Sequence, residues 1–142
     1  MTDQPRPGGS ARDIARRVLR RVRRDEAYAN LVLSAELSGL GTRPDPREAA
    51  LATELVYGVL RQRRRLDHAL GRVSSRPLSR IEEDLLDALR LAAYQVLLLD
   101  RVPAYAAVND AVEATRLGRG KDAAGFVNAV LRKLRPEHLD AE

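Results

Sequence analysis

The stretch "ARRVLRRVRR", residues 15–24, places six arginines in ten positions. A guanidinium is permanently charged and presents a planar fork of donors. A cluster of them suits bidentate contact with carboxylate or phosphate and stacking on flat rings. Spacing decides whether this is a loose basic segment or a presented face. At 100° per residue, Ala11, Ile14, Ala15, Val18, Leu19 and Val22 fall within one arc of about 140°. Arg12, Arg16, Arg17, Arg20, Arg21, Arg23 and Arg24 take the opposite arc. The pattern predicts an amphipathic helix with one face in a core and an arginine face outside. Asp13 is the lone acid set against those seven arginines on the helix, so few i,i+4 pairs are available, and an anionic partner is expected. Arginine-rich faces of this kind suit RNA phosphates and bases.

A second group gathers on the outer side of a later helix: Tyr57, Arg61, Arg64, Arg65 and His68. Arg61, Arg64 and Arg65 are secondary candidates for RNA contact, with Tyr57 as a ring on which a base could stack. Packing by the arginine stems is the competing explanation. His68 and His138 have no companions that would complete a metal site. The chain has no cysteine, which excludes disulfides, thiolate metal sites and cysteine nucleophiles. No glycine-rich phosphate loop, HExxH or nucleophile beside a base occurs. The acidic cluster "EEDLLD" at 82–87 reads as a solvated first helical turn. No catalytic residue, metal or cofactor is therefore expected in this chain.

Composition sets the frame for these groups. The chain has 142 residues, a formal net charge of +5, four Tyr, one Phe and no Trp. Residues 1–24 hold eight arginines against two aspartates, while the remainder holds 17 basic and 18 acidic residues. The positive excess thus sits at one end, as expected for a chain that meets nucleic acid or another polyanion. The first ten residues lack an apolar signal-peptide core, and the longest strongly apolar run, "VLLL", is too short to span a bilayer. The reading is a cytoplasmic chain without a membrane partner. The apolar face of the basic helix also lacks the Trp or Phe usual in helices that lie on a membrane.

The elements that must hold these residues read as helices throughout, with no period-two alternation. Residues 1–9 are expected to be a flexible tail. Ser10 opens "SARD", a capping-box signal for the basic helix. A second apolar segment runs from Asn30 to the Gly39/Gly41 pair. "DPRE" then starts a helix, with Asp45 as N-cap, Pro46 at the first position and Glu48 closing a box, expected to run to about Arg72. Arg63 projects into its apolar arc, which marks either a paired interface or a distortion. "SRIE" at 79–82 reads as another capping box, opening a central, buried helix to about Leu99. Pro103 starts the next helix, "RLGRGK" ends it, and "DAAGFVNAVLRKL" forms the last. Within that helix, Gly125 is expected to allow close helix approach, Phe126 to be core and Asn128 to tie the helix to a neighbour. Asn109 lies on the polar side of its own helix. The expected fold class is all-α, a single helical domain over 10–135 with six or seven helices. Residues 136–142 form a tail or the start of a linker.

Four segments in order, "ARDIARRVLRRV", "REAALATELVYGVLRQRRRLD", "LRLAAYQVLLLDRVPAYAAVNDAVEATR" and "GFVNAVLRKL", resemble the NusB family over most of residues 11–134. "LVYGVLR", "DRVPAYAAVNDAVE" and "FVNAVLR" are similar to the NusB-like N-terminal domain of the Sun/Fmu class of ribosomal RNA cytosine-C5 methyltransferases. They look less like the free-standing antitermination factor. The resemblance implies two packed helical bundles that bind RNA. In the antitermination factor the arginine-rich first helix helps to recognise boxA RNA together with ribosomal protein S10. The matching positions here are Arg12, Arg16, Arg17, Arg20 and Arg21. In the methyltransferases the domain precedes a catalytic region that uses S-adenosylmethionine and paired cysteines. This chain has no cysteine and ends where such a region would begin. The expected function is a non-catalytic RNA-binding domain, either part of an rRNA methyltransferase or a free-standing relative. An antitermination factor and a helical interaction or dimerisation module are the alternatives.

Overall fold

The computed structural model describes residues 10–39 and 45–140, so the N-terminal tail, Gly41 and the last two residues of the chain lie outside the described residues. Seven α-helices follow one another: α1 Ala11–Asp25, α2 Ala29–Ser38, α3 Pro46–Arg61, α4 Arg63–Val73, α5 Glu83–Leu98, α6 Ala104–Arg119 and α7 Lys121–Lys133. Short 3₁₀ turns occupy Leu78–Arg80 and Pro136–Leu139. No strand occurs among the described residues. The fold class is all-α, as the composition and periodicity predict. The helices fall into two compact units, one ending at Gly58 and the other starting at Val59.

In the first unit, α1 begins as its sequence predicts. Ser10 is extended, and its Oγ accepts a hydrogen bond from the Asp13 amide at 3.2 Å. Ala11, Ile14, Ala15, Val18 and Leu19 are buried. The helix stops at Glu26, which adopts the left-handed conformation (φ 50°) that caps helix ends. Three residues later α2 starts and packs back on α1, burying Val32 and Leu33. Asp45 caps α3 by accepting from the Arg47 amide at 2.8 Å. Glu48 does not close a box on its own helix. Its Oε1 accepts from the Ala11 amide at 3.2 Å, so one carboxylate satisfies an orphan donor at the start of α1. Ala52, Leu55 and Val56 complete the buried face of α3.

The helix expected from Pro46 to Arg72 is instead broken at Gln62. The apolar stripe continues across the break, with Val59 before it and Leu66 and Leu70 after it, all buried. Arg63 explains the break. A continuous helix would aim its charge into that stripe, whereas as the first residue of α4 its side chain is 57% exposed and 4.0 Å from Asp67. The capping box expected at Ser79 is also absent. Ser79 lies in the 3₁₀ turn, and α5 starts at Glu83 without a side-chain cap.

In the second unit α5 is central, with ten of its sixteen residues buried, and it packs on α4, α6 and α7. Its one buried charge, Arg90, meets Asp67 of α4 in a two-pronged pair, with Nε–Oδ1 at 2.7 Å and Nη2–Oδ2 at 3.0 Å. Two further buried polar groups are satisfied within their own helices, Gln95 on the Leu91 carbonyl and Thr115 on the Ala111 carbonyl. Ala107 and Ala111 let α6 lie close to its neighbours, while α7 buries Ala124, Val127, Val130 and Leu131. Gly125 does not serve close approach, because a Cβ there would meet nothing within 4 Å. Asn128 bonds to Arg132 one turn along α7 and not to a neighbouring helix. Phe126 is half-buried, with the Arg76 guanidinium 4.1 Å from its ring centre.

Candidate nucleic-acid interface

The buried stripe of α1 fixes which way its arginines point, and the acids of α1 and α2 then sort them. Arg16 pairs with Asp13 one turn back, Nη2–Oδ1 at 2.9 Å. Arg17 Nε lies 2.7 Å from Glu36 Oε1, and Arg21 Nη1 lies 3.4 Å from Oε2 of the same carboxylate. Arg21 also stands 4.0 Å from Asp25. Arg12 and Arg23 are half-buried and have contacts of their own. Arg20 and Arg24 differ. Both are exposed, and neither has an acidic partner among the described residues. The predicted face is thus real as geometry but uneven in charge: Arg16, Arg17 and Arg21 are paired with acids, while Arg20 and Arg24 have no acidic partner among the described residues.

Glu36 is the residue that local sequence rules missed. It lies fifteen and nineteen positions from its arginines, beyond any i,i+4 count. Its carboxylate clamps α2 to α1 and orients two guanidinium groups along the face. Asp13 plays the smaller, local version of this role. Partial burial pushes its carboxyl upward, but hydrogen bonds from Arg16 and Ser10, with the Arg16 and Arg17 charges, outweigh that and hold it below its ordinary 3.8. It therefore keeps its charge, and its hold on Arg16, to a lower pH than an ordinary aspartate would.

Tyr28 and Leu31 were also missed. They flank the start of α2 just beyond the basic helix and are 76% and 62% exposed. The available signal was an aromatic residue four positions after an arginine run, outside any apolar arc.

The secondary candidates separate. Tyr57, in the first unit, is 36% exposed. In the second unit Arg61 and Arg64 are exposed without a side-chain partner among the described residues, whereas Arg65 reaches Gln62 Oε1 at 3.4 Å. His68 donates through Nε2 to the Asp140 carbonyl at 3.3 Å. Arg72 donates to the carbonyls of Glu137 and Asp140, each at 3.2 Å. The outer end of α4 thus holds the turn at 136–140 in place and is not free for a ligand. Among the described residues, no group of three or more His, Cys, Asp or Glu could hold a metal ion. No helix among them is long and apolar enough to cross a membrane.

Known proteins carry the same fold and sequence pattern. A chain in the crystal structure of a plectonemic RNA supercoil superposes with a TM-score of 0.78 at 21% identity, covering 90% of this chain and 93% of that one. At that identity the likeness establishes the shared all-helical fold. Residues 9–136 match the NusB family. The transcription antitermination protein NusB of Desulforudis audaxviator is 37% identical over 115 residues, 80% of this chain and 78% of that protein. The chain belongs to the NusB family. A Mycobacterium tuberculosis relative that carries a methyltransferase name is 46% identical over 129 residues, 91% of this chain. A Bacillus subtilis relative named as ribosomal RNA small subunit methyltransferase B is 34% identical over 128 residues, 90% of this chain. The chain spans about 28% of the length of each, and matches their NusB-like N-terminal part.

Proposed function

We propose that this chain is a non-catalytic RNA-binding domain that holds ribosomal RNA for a cytosine-C5 methyltransferase, working in the cytoplasm. The observation that carries this reading is a pair of exposed arginines toward the C-terminal end of α1. Arg20 and Arg24 stand exposed with no acid among the described residues to neutralise them, on a helix whose other face is locked in a core. Fixed, unneutralised guanidinium groups favour phosphate, and releasing the counterions condensed on RNA supplies much of the affinity. Arg12, Arg16, Arg17, Arg21 and Arg23 extend the face, and Arg61 and Arg64 form a smaller basic group in the second unit. Methyl transfer and its cofactor are assigned to sequence outside the matched part.

A second reading, antitermination on a boxA-like RNA with ribosomal protein S10, is favoured by the antitermination protein that this chain matches over 78% of its length. Fluorescence anisotropy separates the two. The chain is titrated into a labelled small-subunit rRNA hairpin, a boxA-like single strand and a scrambled strand, at two salt concentrations. Preference for the rRNA hairpin supports the methyltransferase reading, and preference for boxA supports the other. Reversing charge at Arg20 and Arg24 together should cut affinity at low salt and flatten the log–log salt slope on a single strand by roughly 1.4, at about 0.7 for each phosphate no longer neutralised. Absence of binding to all three RNAs at low salt would overturn the RNA-binding reading.

A further inference from the structure

We infer that Tyr28, supported by Leu31, is a stacking platform for an unpaired RNA base at the C-terminal end of the arginine face. The inference rests on the RNA-binding reading and adds to it a site that tells single-stranded from duplex RNA.

The exposed large apolar side chains among the described residues are Tyr28, Leu31, Tyr57, Tyr105 and Leu117. A single exposed apolar residue is ordinary. Tyr28 and Leu31 are different because they form a pair. Tyr28 is the N-cap of α2 and Leu31 lies three residues on, so the two share one side of the helix start. Their neighbours Val32 and Leu33 turn inward and are buried, which fixes the exposed pair outward. A phenol ring exposed to 76% has a face available to a flat partner, and the leucine beside it widens the apolar ledge.

Charge then selects the partner. Glu26 turns the chain through its left-handed conformation, and α2 folds back on α1 with Arg17 and Arg21 held on Glu36. The start of α2 therefore lies beside the end of α1. Arg24 is four residues from Tyr28, which limits their separation to about 14 Å even for an extended chain. The ring thus stands near Arg24, which like Arg20 one turn earlier is exposed and has no acidic partner among the described residues. Tyr105 and Leu117 are exposed to a similar degree, but the cations of their helix, Arg116 and Arg119, are spent on Glu113 and Asp84. An aromatic face beside unneutralised guanidinium groups is the arrangement that binds single-stranded nucleic acid, with phosphates on the cations and bases on the ring. In a duplex the bases are already stacked on each other and offer the ring nothing.

The test uses the whole chain, one labelled single-stranded RNA and the same strand annealed to its complement. Tyr28→Ala should weaken single-strand binding by about 10-fold, within the range for removing one base–aromatic stack. The salt slope should not change, because no cation is removed. Duplex affinity should stay within about twofold. Tyr28→Trp supplies a direct reading, since the chain has no other tryptophan. Its affinity should match the parent, and its emission should be quenched as single-stranded RNA is added. Unchanged single-strand affinity in Tyr28→Ala with no quenching in Tyr28→Trp would overturn the platform and leave RNA binding by the arginines intact. Equal weakening for strand and duplex would also overturn it. Failure of the unaltered chain to bind either RNA at low salt would overturn the RNA-binding reading, and the platform with it. Should Tyr28→Ala lose its helical circular dichroism, the quenching of Tyr28→Trp still decides.

Discussion

The two helical units spend their arginines differently. In the second unit most are consumed by the fold: Arg90 in a buried fork on Asp67, Arg119 on Asp84 with Glu82 3.8 Å away, Arg116 on Glu113, and Arg72 on two backbone carbonyls. In the first unit, Asp13, Asp25 and Glu36 take up Arg16, Arg17 and Arg21, while Arg20 and Arg24 have no acidic partner among the described residues. The same side chain is a structural rivet in one place and an exposed cation in the other. Counting arginines therefore identifies no interface. The useful quantity is the supply of acids within reach of each one.

The largest effect that tests this contrast is at Arg90. Its side chain is 8% exposed, while Asp67 is 29% exposed. Arg90→Ala would leave Asp67 without its fork and a void against α4. The expected loss of stability is about 3 kcal/mol, the low end for breaking a buried pair, because water still reaches the aspartate. That corresponds to a fall of about 10 °C in thermal midpoint by circular dichroism. RNA affinity of the folded protein should not move. A variant that kept its midpoint but lost RNA binding would reverse the roles assigned to the two arginine classes.

Glu36 offers a substitution whose two effects have opposite signs. Glu36→Gln removes the charge that holds Arg17 and Arg21. Chemical denaturation should show a loss of about 1 kcal/mol, since the pair is partly exposed. The same change adds one unneutralised charge to the face. Low-salt RNA affinity should therefore rise about threefold, a modest gain because water screens the added field. A fall in affinity would mean that Glu36 acts mainly by orienting the arginines, and that orientation outweighs charge on this surface.

What the sequence displayed, and what it hid, divides along the range of the interactions. The amphipathic stripe of α1 and its Ser10 cap are local patterns, set by 3.6-residue spacing and one hydroxyl, and both appear as read. The buried character of α5 is equally local in "LAAYQ", which is buried throughout, although the "VLLL" that follows is only half-buried. Glu48 and Glu36 obey no local rule. One serves an amide 37 residues away and the other serves arginines across the hairpin, so the face seemed more highly charged than it is. The break at Gln62 lay between these cases. Arg63 showed that a continuous helix would carry a charge into an apolar stripe, but neither proline nor glycine marked where the helix would give way. At "SRIE" the right residue types for a capping box stood in a 3₁₀ turn, one step before the helix began.

The smallest effect concerns pH, and it sharpens the rivet side of the comparison. Asp84 is held below its ordinary 3.8 first by the hydrogen bonds from Arg119, with burial opposing and the Arg119 charge assisting. A carboxyl depressed in the folded state binds its proton later on acidification than it does in the unfolded chain. Its contribution to stability is therefore complete above the ordinary value and is lost as pH falls through the folded one. Asp84→Asn should lower the thermal midpoint by about 2 °C at neutral pH, because the pair is exposed and screened. The difference between parent and variant, rather than either midpoint alone, isolates this carboxyl from others that titrate in the same range. That difference should hold steady down to the ordinary carboxyl value and close below it. A gap that widened on acidification would show that the contact matters through its neutral hydrogen bonds, and Arg119 would have to be regarded as a cation still open to an outside ligand.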